Sequence, residues 1–255
     1  MPEKFIREPY ASREEWLEKR GHGIGGSDAS CIIGENPYKT NLQLYQEKLG
    51  LIEPIDIGDK PYVRYGNLAE DHIRELFRFD YEYLLKVEHT NELLIRNDKP
   101  HIRGSLDGEL EVIEDFSFMS YWKPYYNKNM ADVMNIVPEP ITLLKGMKGI
   151  LEIKTTEVVS SMHKEKWHNE IPMNYYVQCL YYLLVTGYDF VILRAKLKWV
   201  DLNGVVTHEI RDYGFLRAGR EKDLEFLEKE ADVFWFDNIQ KKIEPPLKIK
   251  LIGGN

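Results

Sequence analysis

The sequence predicts an α/β fold in which a central mixed sheet is flanked by helices, and three segments carry that prediction. Phe190–Val200 alternates, with Val191, Leu193, Ala195 and Leu197 set against Ile192, Arg194, Lys196 and Lys198, which is the period of a strand. Residues 173–182 are apolar nearly all round, the pattern of a buried helix. Gly149-Ile150-Leu151-Glu152-Ile153-Lys154-Thr155 reads as a short buried strand.

The other elements follow in order. Residues 12–20 are charged and helix-prone. A glycine-rich turn leads to a short helix over 27–33, stopped by Gly34. Residues 42–49 form another helix closed by a glycine, and 51–61 a connector rich in Pro and Gly. A longer helix is predicted over 66–79, and strands over 93–95, 102–106 and 150–153. Pro172 opens a helix that runs to Val185 and is closed by Gly187. A turn at Asn203-Gly204 folds 205–211 back as a hairpin. The final helix, 217–239, sets Leu224, Leu227, Ala231 and Phe234 on one stripe before Pro245-Pro246 ends it. Residues 112–148 stand apart, rich in aromatics (Phe116, Phe118, Tyr121, Trp122, Tyr125, Tyr126). They read as an inserted hairpin and helix packing on the core, in preference to a flap that grips substrate. Residues 1–255 are read as a single domain carrying this insert.

Bulk properties bound the function. The 255 residues are 43% hydrophobic and 30% charged, so a sizeable soluble core is expected. The longest apolar run, 181–185, is too short to span a bilayer, so no membrane partner is expected. The first residues carry no apolar signal segment, and an intracellular location is expected. Cys31 and Cys179 sit among apolar residues and read as buried free thiols. The net charge of −8 argues against a basic coat for nucleic acid, yet it is compatible with cations gathered in one cleft.

The chemistry concentrates in a few residues. Side chains on a strand alternate, so Glu152 and Lys154 share a face, their Cα atoms roughly 6.6 Å apart. His101-Ile102-Arg103-Gly104-Ser105-Leu106-Asp107-Gly108 reads as a second strand ending in an aspartate. Two carboxylates to hold a hard cation, with a lysine to polarise the attacking water, suit a magnesium-dependent phosphodiesterase. Glu70 lies three and seven positions before Ile73 and Phe77, on the core-facing side of its helix, whereas Asp71, Arg74, Glu75 and Arg78 are placed for solvent. Gln178 lies in the apolar 173–182 helix and needs hydrogen-bond partners, with Tyr182 four residues on. Gly21-His22-Gly23-Ile24-Gly25-Gly26 matches GxGxxG formally, but a helix pattern precedes it and the dinucleotide reading is rejected. Its glycines and Ser27 are as well explained by a tight turn as by a phosphate site. His163 and His168 miss helical ligand spacing, and no CxxC, HExxH or Gly-x-Ser-x-Gly is present.

In order along the chain, Arg20 with Gly25-Gly26-Ser27-Asp28, Gly66-Asn67-Leu68-Ala69-Glu70, Ser105-Leu106-Asp107-Gly108, Glu152-Ile153-Lys154, and Gln178 with Tyr182 before Val185-Thr186-Gly187 resemble the PD-(D/E)XK nuclease superfamily. Within it they resemble the lambda exonuclease and YqaJ-like viral recombinase family, over roughly residues 20–197. The resemblance implies a restriction-endonuclease-like sheet and a Mg²⁺ site, with Mn²⁺ as substitute, held by Asp107, Glu152 and the Ile153 carbonyl. It implies Lys154 as catalytic lysine, with Glu70 and Gln178 supporting it and the metal-bound water, and Arg20, Ser27 and Ser105 as holders of a 5′-terminal phosphate. The expected activity is a 5′→3′ exonuclease on double-stranded DNA ends that leaves 3′ single strands for recombination. By the same resemblance a trimeric ring, a single-strand annealing partner and a phage or prophage origin in the bacterial cytoplasm are expected. The alternatives are an endonuclease of the same superfamily and a non-catalytic binding module on a nuclease fold. The insert 112–148 departs from the lambda-type pattern.

Overall fold

The computed structural model describes residues 3–120, 139–160, 164, 166–167, 170–201 and 203–248. β1 (Phe5–Pro9) leads to α1 (Arg13–Gly21), where the Ser12 hydroxyl caps the first turn by accepting from the Glu15 amide. α2 (Gly26–Ile32) and α3 (Asn41–Lys48) follow, the second opened by a Thr40–Gln43 capping box. α4 (Pro61–Asp80) begins at Pro61 rather than Gly66, because proline at the first helical position loses no hydrogen bond. Next come β2 (Leu85–Glu88), β3 (Glu92–Arg96), β4 (Arg103–Gly104) and β5 (Gly108–Val112). A hairpin of β6 (Phe116–Ser120) and β7 (Glu139–Leu143) precedes β8 (Lys148–Glu157). The chain continues through α5 (Met173–Thr186), β9 (Phe190–Val200), β10 (Val206–Leu216) and α6 (Glu221–Asp232), which runs on as a π-helical turn, Val233–Gln240.

The central sheet has the order β10-β9-β8-β5-β2. β8 and β9 are parallel and the other neighbours antiparallel, so the sheet is mixed, as the sequence predicts. A parallel pair needs a crossover, which α5 supplies before ending at Gly187 in the left-handed conformation (φ 71°). Strand alternation then sorts the core. Ile150, Val191, Leu193, Ala195 and Leu197 pack with α2, α5 and α6 on one face. Leu151, Ile153, Phe190 and Ile192 pack on the other with Ile73 and Phe77 of α4.

Several expectations change. The predicted strand over 102–106 is short, and it belongs to a separate three-stranded sheet, β1-β3-β4. The chain leaves that sheet at Ser105 and enters the central one at Gly108. Asp107 therefore stands just before β5, in the link between two sheets, and not at the end of a strand. β1, β2 and β5 had no prediction, since each is short and offers few inward residues. α6 starts at Glu221 rather than 217. The predicted hairpin of the insert is present as β6–β7, and Ser120 Oγ both donates to and accepts from the Gly214 main chain at 2.9 Å. Tyr121, Trp122, Tyr125 and Tyr126 lie outside the described residues, as do His163 and His168. Among the described residues no helix is long and apolar enough to cross a membrane.

Candidate active site

The register of β8 builds the site. Gly108 sits opposite Leu151, and β5 begins there, so beyond Leu151 this edge of β8 meets no strand among the described residues. The Asp107 carboxylate takes that place, its Oδ2 accepting from the Ile153 amide at 2.7 Å. A residue's amide and carbonyl face the same strand edge, so the Ile153 carbonyl lies on the Asp107 side. Glu152 and Lys154 share the face under α5, and the ammonium forms an ion pair with Glu152 Oε1. Lys154 Nζ also lies 5.1 Å from the centre of the Tyr175 ring, a cation–π contact.

Helix α4 borders the same place, and here one expectation is corrected. Arg74 does not face solvent: it is 5% exposed and aims into the site. Its guanidinium donates to the Asp107 carbonyl, Asp71 Oδ1 and Glu70 Oε1, each at 2.6 Å. Glu70 is thereby tied to the segment carrying Asp107. Asp71 remains at the surface. From α5, Gln178 Nε2 donates to the Tyr182 hydroxyl at 2.9 Å. The Tyr182 ring passes between Gly26 and Gly104, where an added Cβ would lie 2.4 and 2.9 Å from ring atoms. Only glycine admits so close an approach.

A second group of donors forms the opposite wall. Ile24 pairs with Ile102 in a parallel bridge, which brings the Gly25–Ser27 turn beside Gly104 and Ser105. Arg20 hydrogen-bonds Ser27 Oγ and pairs with Asp28 Oδ1 at 3.2 Å. Its guanidinium lies 5.0 Å from the centre of the Trp16 ring. Trp16 Nε1 donates to Ser105 Oγ at 2.8 Å, so one indole touches two of the nominated donors. Lys48 also pairs with Asp28, at 3.0 Å. Burial would raise the Asp28 carboxyl, but Lys48, Arg20 and the Gly25 amide outweigh it and hold it well below the usual range.

These walls enclose one cleft of 610 Å³. Arg20, Ser27, Glu70, Ser105, Asp107, Glu152, Ile153, Lys154 and Gln178 all line it. Every residue nominated from the sequence is therefore in one place. Glu70 and Gln178 make no hydrogen bond to Lys154; their partners are Arg74 and Tyr182. Sequence reasoning passed over Arg74, Trp16, Lys48 and Tyr175. Arg74 lies one helical turn after Glu70, which is the signal that was available for it.

Electrostatics mark the floor of the cleft. Glu152 is 1% exposed, and its carboxylate meets the Lys154 ammonium at Oε1 and, among the described residues, no other donor. Burial, then the charge of Asp107, pushes its carboxyl up to about 8 against the pull of Lys154. Burial and Asp107 likewise raise Glu70 to about 7. Burial pulls the Lys154 ammonium down, but Glu152 and Asp107 more than offset this and keep it charged. A carboxylate this desolvated is costly even with one ammonium partner, and a hard cation bound to oxygen would relieve it. Among the described residues no three His, Cys, Asp or Glu side chains stand at mutual ligand spacing. The oxygens that could meet such a cation are those of Asp107, Glu152 and the Ile153 carbonyl, a small set of the kind that suits Mg²⁺, which commonly keeps several waters.

Comparison with known proteins agrees with this geometry. Residues 15–189 match the YqaJ-like viral recombinase domain. The chain is 32% identical over 180 residues to the uncharacterized protein YqaJ of Bacillus subtilis (strain 168), covering 70% of this chain and 44% of that protein. It thus spans less than half the length of that relative. Among solved structures it is similar to an alkaline exonuclease, LHK-Exo, from Laribacter hongkongensis, with TM-score 0.55 and 14% identity over 91% of this chain and 94% of that one. LHK-Exo in complex with dAMP matches with TM-score 0.53 and 15% identity, over the same shares. At such identity the likeness speaks for the fold, a restriction-endonuclease-like mixed sheet flanked by helices. The family match and the relative together cover most of the chain, which belongs to the YqaJ-like viral recombinase family.

Proposed function

We propose that the protein is a metal-dependent deoxyribonuclease of the lambda exonuclease type, which degrades double-stranded DNA from 5′ ends and leaves 3′ single strands. The observation that carries this reading is Glu152: a buried carboxylate whose partner is the Lys154 ammonium, with Asp107 beside it at the floor of the cleft. Asp107, Glu152 and the Ile153 carbonyl would hold Mg²⁺, or Mn²⁺ in its place. When bound, the cation supplies Lewis-acid stabilisation of charge on the phosphodiester. Lys154, held as a cation, donates to the attacking water and orients it, with Tyr175 fixing the ammonium from behind. Arg74 ties Glu70 and the Asp107 main chain together, so the carboxylates keep their spacing. Arg20, Ser27 and Ser105 receive the 5′ phosphate, which sets the register of the strand to be cut.

Family membership supports the remaining expectations: a ring-shaped homo-oligomer, an annealing protein as partner, and work on phage or prophage recombination in the bacterial cytoplasm. The test is digestion of end-labelled linear and closed circular duplex with Mg²⁺, with and without a 5′ phosphate. Loss of label from linear 5′ ends with circles intact is expected. Cutting of circles would favour an endonuclease, and no cutting of either substrate with any divalent cation would favour a binding module.

A further inference from the structure

Neither the carboxylates nor the phosphate donors account for one part of the cleft wall, which Tyr38, Tyr62 and Tyr175 line. Tyr38 is 82% and Tyr62 59% exposed, so both rings are open to a ligand in the cleft. Each ring is mounted on backbone that is already fixed. Tyr38 follows Pro37, and Asn36 Oδ1 accepts from the Tyr38 and Lys39 amides at 2.9 and 3.0 Å. Asn36 is itself anchored, Nδ2 donating to Ser30 Oγ at 3.0 Å. Tyr62 follows Pro61 in the first turn of α4. Tyr175 lies in the first turn of α5, its amide donating to the Pro172 carbonyl at 2.9 Å and its ring stacked on Trp167 at 5.7 Å.

The place of the rings says what they would meet. They line the same cleft as Asp107, Glu152 and Lys154. A strand whose phosphate reaches the carboxylates brings its nearest bases against this wall. Aromatic rings replace lost stacking without regard to base identity, and rings held in place beforehand do so at small entropic cost. We propose that Tyr38 and Tyr62, backed by Tyr175, form a stacking platform for the unpaired nucleobases at the end of the strand being cut. This rests on the nuclease reading above and assigns the cleft a base-binding role beyond its phosphate and cation roles.

The experiment measures binding of a short 5′-phosphorylated oligothymidylate by fluorescence anisotropy in EDTA, where no cleavage occurs. Tyr38→Ala and Tyr62→Ala should each weaken binding, roughly fivefold to a hundredfold, while Tyr38→Phe and Tyr62→Phe bind as the parent does. Both side chains are exposed, so the variants should fold, which circular dichroism checks. Removing the two terminal bases as abasic sites should weaken the parent and leave the double alanine variant unaffected. The platform is overturned if the alanine variants bind like the parent, or if abasic sites cost parent and double variant equally; the exposed rings would then be contacts for a protein. A parent that neither binds nor cuts DNA of any form overturns the nuclease reading itself, and that failure is told apart because it precedes any substitution.

Discussion

Cation binding should be coupled to release of a proton from Glu152. Its carboxyl is raised to about 8 by burial and by Asp107, while an unfolded glutamate titrates near about 4.3. Between those values the metal-free folded protein holds a proton that the unfolded chain has lost. Its stability therefore falls as pH rises through this window, the sign opposite to that of a salt-bridged acid. A cation at Glu152 must displace the same proton. Apparent affinity for Mn²⁺ should then climb about tenfold per pH unit from pH ~6 and level off above pH ~8. Titration calorimetry in two buffers of different ionisation heat should count close to one proton released near pH ~7 and none well above pH ~8. Glu152→Gln keeps the shape and removes both the charge and the linkage, and thermal unfolding would confirm that it folds. Affinity that is flat from pH 6 to 8, or a Glu152→Gln variant that binds Mn²⁺ with the parent's slope, would refute the assignment.

Three other outcomes are expected. Lys154→Ala should bind DNA and lose turnover in a gel assay, and Lys154→Arg should recover little, because a planar guanidinium sets its donors differently beside Glu152 and Tyr175. Arg20→Ala should slow digestion of 5′-phosphorylated ends roughly tenfold to a hundredfold and leave 5′-hydroxyl ends nearly unchanged, since one charge-assisted contact is worth about 1.5–3 kcal/mol. Lys48 remains on Asp28 in that variant, so denaturant unfolding should show little loss of stability. Arg74→Met, despite its position on a helix surface in the sequence pattern, should cost about 2–3 kcal/mol in denaturant unfolding and weaken Mn²⁺ binding, because it unties Glu70 and the Asp107 main chain. An Arg74→Met protein as stable as the parent would show that these contacts matter little.

The long elements, and the polar residues that share a face, were legible from local patterns alone. Phe190–Val200 was legible because Leu193, Ala195 and Leu197 alternate with Arg194, Lys196 and Lys198, the period of a strand. The apolar 173–182 helix, with proline before it and glycine after it, was legible for the same kind of reason. Glu152 and Lys154 could be set on one face because pleating is a local rule, and the ion pair between them follows from it. Tertiary structure alone decided where the short pieces went. Residues 102–106 read as one strand, yet the chain crosses from one sheet to another there, since pairing partners distant in sequence choose the sheet. That crossing is what frees the Asp107 carboxylate to take the Ile153 amide. Arg74 looked solvent-facing from helical phase, but the Asp107 carbonyl and the Glu70 carboxylate lie beside that face and draw the guanidinium inward. Trp16 likewise found Ser105, 89 residues away, only because the Ile24–Ile102 bridge brings the turn against the link. Periodicity and spacing describe a chain's neighbours within a turn or a pleat; contacts made across loops depend on how the elements pack, which no local pattern encodes.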